Sequence, residues 1–248
     1  MDILRVGAVP YLNARPLVYG LAERVSLTYA PPSQLVELLR GSQVQVALVP
    51  AFYLCRRQGV ALETGVVATW AQAESVLLFH KGDLRRVRRL ASNAHSQTSN
   101  ALAQIVLKDV YGCRPEVAAY EPDLEAMLSE CDAAVLIGDY AMGRSQAPFP
   151  RLDLGSAWHD LTGLPAVWAL WVAQDEAAAR AAQPVLAQAR EAGLARLPQI
   201  AAEHACRSGL PEERCLRYLV ETMHYDFGDR EREGLAQFQR RCRRLGLC

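Results

Sequence analysis

Short apolar, β-branched runs alternate with helix-patterned runs along residues 1–82, and that alternation constrains the fold more than any other feature. It calls for a parallel sheet with crossover helices. The first apolar run covers 3–9 (Ile3, Leu4, Val6), and a helix is expected near 16–23. A strand through Val25, Leu27 and Tyr29 follows. Pro31, Pro32 and Ser33 open a helix with Leu35, Val36, Leu38 and Leu39 on one face, and Gly41 ends it. Residues 45–50 are too short for a helix and read as a buried strand. Two more strand-like runs occupy 65–69 and 75–80, the second leaving this unit.

After the break at Lys81-Gly82-Asp83 a second alternation begins near Val87 and Leu90. A turn rich in Ser, Thr and Asn covers 92–100. A helix then runs through Ala101, Leu102, Ile105, Val106 and Val110 to Gly112. Residues 117–120 read as a strand, 123–128 as a helix, 133–137 as an apolar strand and 151–154 as a short one. The run 167–173 is expected to pair with 75–80, and everything from about 175 reads as helical.

Two α/β units joined by two strand-like crossings imply two lobes around a cleft, the plan of the type II periplasmic-binding-protein fold. In that scheme 1–84 and 166–248 form a discontinuous first lobe carrying the helical tail, and 85–165 forms the second. Clefts between lobes are preferred sites for small ligands.

The 27 basic and 27 acidic residues cancel, which argues against a nucleic-acid partner. No apolar run approaches the roughly 20 residues a membrane helix requires. Seven scattered cysteines, none in a Cys-x-x-Cys pair, read as reduced thiols. The opening has no charged lead and cleavage site, so no secretory signal is read and a cytoplasmic location is expected. Oligomeric state is not legible.

Chemistry is expected where the first strand ends. The turn Gly7–Leu17 carries Pro10, Tyr11, Asn13, Arg15 and Pro16 between a strand and a helix, and ligands of open α/β sheets are met at such strand ends. Asn13 suits two roles, capping the helix or contacting a ligand. Arg15 either pairs with a carboxylate or lies along the helix surface. In the second unit, His95-Ser96-Gln97-Thr98-Ser99 sets three hydroxyls at the mouth of a helix. One hydroxyl is enough for a cap; three suit an anion held by the helix N-terminus. Gly138 and Asp139 end the next strand, Asp139 reading more simply as a cap. Ser75 begins a crossing. His95 beside the hydroxyl turn reads as an outward loop residue. The cluster Arg85, Arg86, Arg88 and Arg89 reads as a solvated face, as does the basic end Arg240, Arg241, Arg243 and Arg244. No nucleophile elbow, phosphate loop, dinucleotide fingerprint or metalloprotease motif is present.

Read together, Tyr11-Leu12-Asn13 with Pro16-Leu17, Ser96-x-Thr98-Ser99, Leu136-Ile137-Gly138-Asp139, Asp153-Leu154-Gly155 with Trp158, Thr162-Gly163-Leu164-Pro165 and Ala169-x-Trp171 resemble the successive motifs of the chorismate dehydratases. That family catalyses the first step of the futalosine route to menaquinone. The resemblance covers roughly 3–173. It implies the two-lobed fold, loss of water from chorismate to give 3-[(1-carboxyvinyl)oxy]benzoate, and no metal or organic cofactor. It places the family's asparagine on Asn13 and its serine on Ser96 as catalytic residues; the turns and strand ends themselves put Tyr11, Arg15, Ser75, Gln97, Thr98, Ser99, Gly138 and Asp139 forward as residues expected around the substrate. It also implies a substrate carboxylate as the base. Ala51 and Ala166 depart from the serine and phenylalanine expected there, which bears on packing around the ligand. Three other readings share the fold: a non-catalytic small-anion-binding protein, the sister enzyme 1,4-dihydroxy-6-naphthoate synthase, and a regulator's effector domain.

Overall fold

The structure is a computed structural model that describes residues 3–56 and 59–248. In chain order its elements are β1 (Arg5–Ala8), β2 (Ser26–Tyr29), α1 (Pro32–Arg40), β3 (Val46–Pro50), β4 (Val60–Thr69), β5 (Val76–His80), β6 (Arg89–Asn93) and α2 (Gln97–Asp109). There follow β7 (Glu116–Tyr120), α3 (Leu124–Glu130), β8 (Ala133–Ile137), α4 (Gly138–Gly143), β9 (Arg151–Asp153), α5 (Leu154–Thr162) and β10 (Ala166–Ala173). The chain ends with α6 (Glu176–Leu194), α7 (Leu197–Ser208), α8 (Glu212–Arg217), β11 (Met223–His224) and α9 (Asp229–Arg244).

The strands form two sheets, ordered β11-β4-β10-β3-β1-β2 and β7-β6-β8-β5-β9. Each is built on the same plan. A first strand lies between two parallel partners: β1 pairs with β2 and β3, and β6 with β7 and β8. An antiparallel strand then lies beside the third, β10 on β3 and β5 on β8. Every residue of β3 is buried, as expected for a central strand covered on both faces. Helix α1 begins with Pro32 in its first turn, buries Leu35, Val36 and Leu39 along one stripe and stops at Gly41.

Four expectations need correction. The run at 167–173 does not pair with 75–80; β10 lies between β3 and β4, while β5 belongs wholly to the other sheet between β8 and β9. An apolar run marks a strand without saying which sheet receives it. The helix expected near 16–23 is instead two 3-10 segments, Leu12–Val18 and Leu21–Glu23, separated at Gly20 with φ 66°. Pro16 inside the first has no N–H for a helical bond. Helix α2 begins at Gln97 rather than Ala101, so Thr98 and Ser99 lie in its first turn. The tail is not purely helical: a π-helical turn at Tyr218–Thr222 leads into β11, which pairs with Ala68 and Thr69 of β4.

The tail also ties the molecule together. Arg241 and Arg244 of α9 both grip Asp109, the last residue of α2. The side chain of Arg241 is only 16% exposed, so this basic end is a clasp as well as a solvated face. Thr98 makes a second link. Its Oγ1 accepts from the Phe52 N–H at 3.2 Å and donates to the Trp168 carbonyl at 3.2 Å, joining α2 to the first sheet. A third contact fixes the turn after β1. Helix α6 passes so close to that turn that a Cβ on Gly193 would collide with the Pro16 carbonyl. Among the described residues no helix is long and apolar enough to cross a membrane.

Two stability predictions follow from these contacts. Gly193→Ala should destabilise the protein by about 1–3 kcal/mol through overpacking against rigid backbone, seen as a melting point several degrees lower. An unchanged melting point would contradict the close approach. Thr98→Val keeps the shape but strands a buried N–H and a buried carbonyl, at a cost of about 1–3 kcal/mol. Equilibrium urea unfolding measures it, and an unshifted midpoint would mean the clasp is not made in solution.

Candidate active site

The carboxyl ends of four parallel strands converge on one cavity. β1 leads to Val9, Tyr11 and Asn13; β3 ends with Leu48 and Pro50; β6 leads to Ser96, Thr98 and Ser99; β8 ends at Ile137 and Gly138. The cavity walls, open to solvent on one side, enclose about 540 Å³ of space that includes that opening. Apolar side chains, among them Val67, Val76 and Trp168, complete it.

On the first lobe, Asn13 projects from the 3-10 turn. Its Oδ1 is buried and has no hydrogen-bond partner among the described residues, and the residue lines the cavity. A buried acceptor left empty is costly, so this oxygen is suited to a donor on a bound molecule. Tyr11 lies against Gly138 of the other lobe. Gly138 has φ 64°, and a Cβ there would rest 3.6 Å from the Tyr11 ring. Burial, and then the negative charge of Asp139, raise the Tyr11 phenol above its ordinary pKa. It therefore stays protonated at neutral pH and serves as a donor, not a base.

On the second lobe, the turn before α2 is set by two asparagines. Asn100 holds Asn93 through both of its amide atoms, at 2.9 and 2.8 Å, and the Asn93 side chain accepts from the His95 N–H at 2.9 Å. With the turn held in this way, the Ser96 side chain makes no capping bond. Ser96 is buried and lines the cavity beside Thr98 and Ser99. The first turn of α2 holds no acidic residue, so no side chain within that turn offsets its positive end. Sequence reasoning missed Asn93 and Asn100; their seven-residue separation around a strand end was the available signal.

The remaining expected site residues lie elsewhere. Arg15 stacks over Tyr29, with its guanidinium carbon 5.8 Å from the ring, and faces a separate hollow with Tyr19, His204 and Arg207. On a three-residue turn, residues two apart point in different directions, so the turn that aims Asn13 inward sends Arg15 out. Gln97 is half-buried and outside the lining. Asp139 is neither in the lining nor a cap. It accepts from the Leu12 N–H at 3.4 Å, and its other oxygen lies 3.2 Å from His204 Nε2, so it braces the Asn13 turn from behind. Ser75 is also outside the lining; its carbonyl accepts from the Gly138 N–H at 2.8 Å. His95 faces outward to Glu121 at 2.9 Å. Ala51 is fully buried behind Pro50, and Ala166 lines a smaller void with Trp158 and Phe238.

The cavity lining, Val9 to Ala169, holds no Asp, Glu, His, Lys or Arg among the described residues. Nor do three His, Cys, Asp or Glu side chains come together anywhere among them in a way that could hold a metal ion. What the cavity offers is neutral hydrogen-bonding groups, a helix N-terminus and apolar walls. Such a site can hold an anion, orient a hydroxyl and stabilise a departing oxygen.

Comparisons with known proteins agree with this architecture. In solved structures the chain resembles a protein of Archaeoglobus fulgidus with TM-score 0.81 at 16% identity, covering 99% of this chain and 98% of the other. It also resembles a Candida albicans protein described as having the generic periplasmic-binding-protein fold, with TM-score 0.67 at 11% identity, covering 97% and 90%. Among curated proteins it is 31% identical to a chorismate dehydratase of Thermus thermophilus, over 94% of this chain and 93% of that one. It is 24% identical to a chorismate dehydratase of Campylobacter jejuni, over 96% and 92%. The profile of a family described as menaquinone biosynthesis matches residues 4–244, nearly the whole sequence. The chain is therefore a member of the menaquinone-biosynthesis family.

Proposed function

We propose that this protein is a hydro-lyase that removes water from chorismate to give 3-[(1-carboxyvinyl)oxy]benzoate, with Asn13 and Ser96 as its catalytic residues. One observation carries the reading: an unpartnered Asn13 amide oxygen and an uncommitted Ser96 hydroxyl line one cavity whose lining holds no carboxylate, imidazole, amine or guanidinium among the described residues. Family membership and the names of the two curated relatives agree with it. In this reading the sheet β11-β4-β10-β3-β1-β2 with the helical tail acts as one lobe and the sheet β7-β6-β8-β5-β9 as the other, so β5 belongs to the second lobe rather than to the 1–84 first lobe the sequence suggests.

The chemistry suits such a cavity. Chorismate carries a ring hydroxyl beside a ring C–H, and losing both makes the ring aromatic. The C–H electron pair becomes part of the ring, the proton passes to a carboxylate of the substrate itself, and the C–O bond breaks as the departing hydroxide takes that proton back from the carboxylic acid and leaves as water. No strong protein base is required. The enzyme must instead fix the ring. Positioning alone lowers such barriers by roughly 7–11 kcal/mol at best. The first turn of α2, with Ser99 and its backbone N–H groups, takes one substrate carboxylate. The Asn13 Oδ1 accepts from the ring hydroxyl and sets its direction. The Ser96 hydroxyl donates to the same oxygen as charge develops on it, a contribution on the order of 3–4 kcal/mol in comparable sites. Tyr11, protonated, closes the cavity over Gly138.

Purified protein incubated with chorismate should yield an aromatic product one water lighter, followed by absorbance and mass. Ser96→Ala should lower kcat by about 10²–10³-fold, and Asn13→Ala by about 10²-fold through loss of alignment, both with melting points near wild type. Chorismate that is bound but recovered intact would favour the anion-binding alternative, and near wild-type turnover in both variants would remove the two residues from the catalytic role.

A further inference from the structure

A second hollow lies behind the turn that carries Asn13. It is framed by the break between the two 3-10 segments, where a Cβ on Gly20 would meet nothing within 4 Å, and by residues of α7. Val18 from the turn and Ile200 from α7 give it a buried apolar floor. Arg15 and Glu23 stand on one side of that floor, Glu203 and Arg207 on the other. Opposite charges lining one hollow can pair directly. Here none of the four is in an ion pair among the described residues: Arg15 stacks on Tyr29, and Glu203 accepts from the Gln199 amide at 2.9 Å.

One buried group indicates what fills the gap. His204 is 6% exposed and lines the hollow. Its Nε2 lies 3.2 Å from the Asp139 carboxylate, while its Nδ1 is buried without a hydrogen-bond partner among the described residues. With the Nε2 proton turned to that carboxylate, Nδ1 carries the lone pair of the ring and is an acceptor. A buried acceptor left empty is costly, so this nitrogen is suited to an N–H of a bound molecule. The hollow therefore offers two guanidinium groups to a carboxylate, and two carboxylates with an imidazole acceptor to an ammonium. The lining of the catalytic cavity offers neither set.

The geometry points to a binding site for a free α-amino acid with an apolar side chain. Arg15 and Arg207 take its carboxylate, Glu23, Glu203 and the His204 Nδ1 take its ammonium, and Val18 and Ile200 receive its side chain. A planar guanidinium holds a carboxylate through two parallel N–H bonds, and the added demand for an ammonium separates a zwitterion from a simple anion. The site stands back to back with the catalytic turn, because Asp139 faces His204 with one oxygen and the Leu12 N–H with the other. The inference does not depend on the reaction proposed for the first cavity.

Isothermal titration calorimetry of the whole protein with L-leucine and L-phenylalanine tests it. At least one of them should bind at one site per chain with Kd at or below about 1 mM. The N-acetyl derivative of that amino acid lacks the ammonium and its amide lacks the carboxylate, so each should bind at least about tenfold more weakly. Arg207→Ala and Glu203→Gln, both at exposed positions, should each weaken binding by about tenfold with unchanged melting points. Ser96→Ala, which alters only the catalytic cavity, should bind the amino acid as the wild type does. Absence of saturable binding of both amino acids up to about 10 mM overturns the inference. So does an analogue that binds as well as its parent, or wild-type affinity in both charge variants. Loss of binding in Ser96→Ala overturns it as well, because the ligand then occupies the catalytic cavity.

Discussion

The gap between the lobes exists as a site because polar groups on one side find their partners on the other. Thr98 spends its single hydroxyl twice, accepting from Phe52 and donating to Trp168. Asp139 reaches from the second lobe to the Leu12 N–H, one residue before Asn13. Gly138, at φ 64°, packs against the Tyr11 ring. Each bond is modest by itself, on the order of 1 kcal/mol net. Their shared effect is to set the ends of four strands facing one another, and an orphaned amide oxygen and a free hydroxyl are left over inside. The clasp from Arg241 and Arg244 to Asp109 extends the same bracing to the far end of α2.

A cavity of this kind favours one style of catalysis. Its lining carries no ionised side chain, so attraction for a doubly acidic substrate falls to the end of α2 and to neutral donors. That suits a reaction whose product is strongly favoured and whose obstacle is geometric. It also suits a phenol kept protonated: Tyr11 is pushed upward by burial and removes no proton at neutral pH. In the proposed reaction the protein supplies shape and fixed dipoles, and the substrate supplies the ionisable groups.

How much of this was legible in the sequence varies by residue. That Asn13 and Ser96 line the cavity was readable because each sits in the turn after an apolar strand run, and strand ends are where such folds meet ligands. The two-lobed plan was readable from the repeated alternation. The pairing of β10 was not, since Val167, Trp168 and Leu170 suit either sheet equally. Arg15 was misplaced because the periodicity did not reveal that Pro16 would impose a three-residue turn. Asp139 resembled a cap, yet α4 is entered through Ile137 and the carboxylate is used across the lobes. Tyr218 was invisible: it lies more than a hundred residues from its partner Ser75, and a π turn cannot be seen in a helical pattern.

A crystal structure with the aromatic product bound tests the central claim most directly. The account predicts the ring between Tyr11 and Trp168, one carboxylate within hydrogen-bond distance of the first turn of α2, and the oxygens of Asn13 and Ser96 converging on the carbon that lost its hydroxyl. Product found in the Arg15–His204 hollow, or in the cavity with Asn13 and Ser96 turned away from it, would contradict the account.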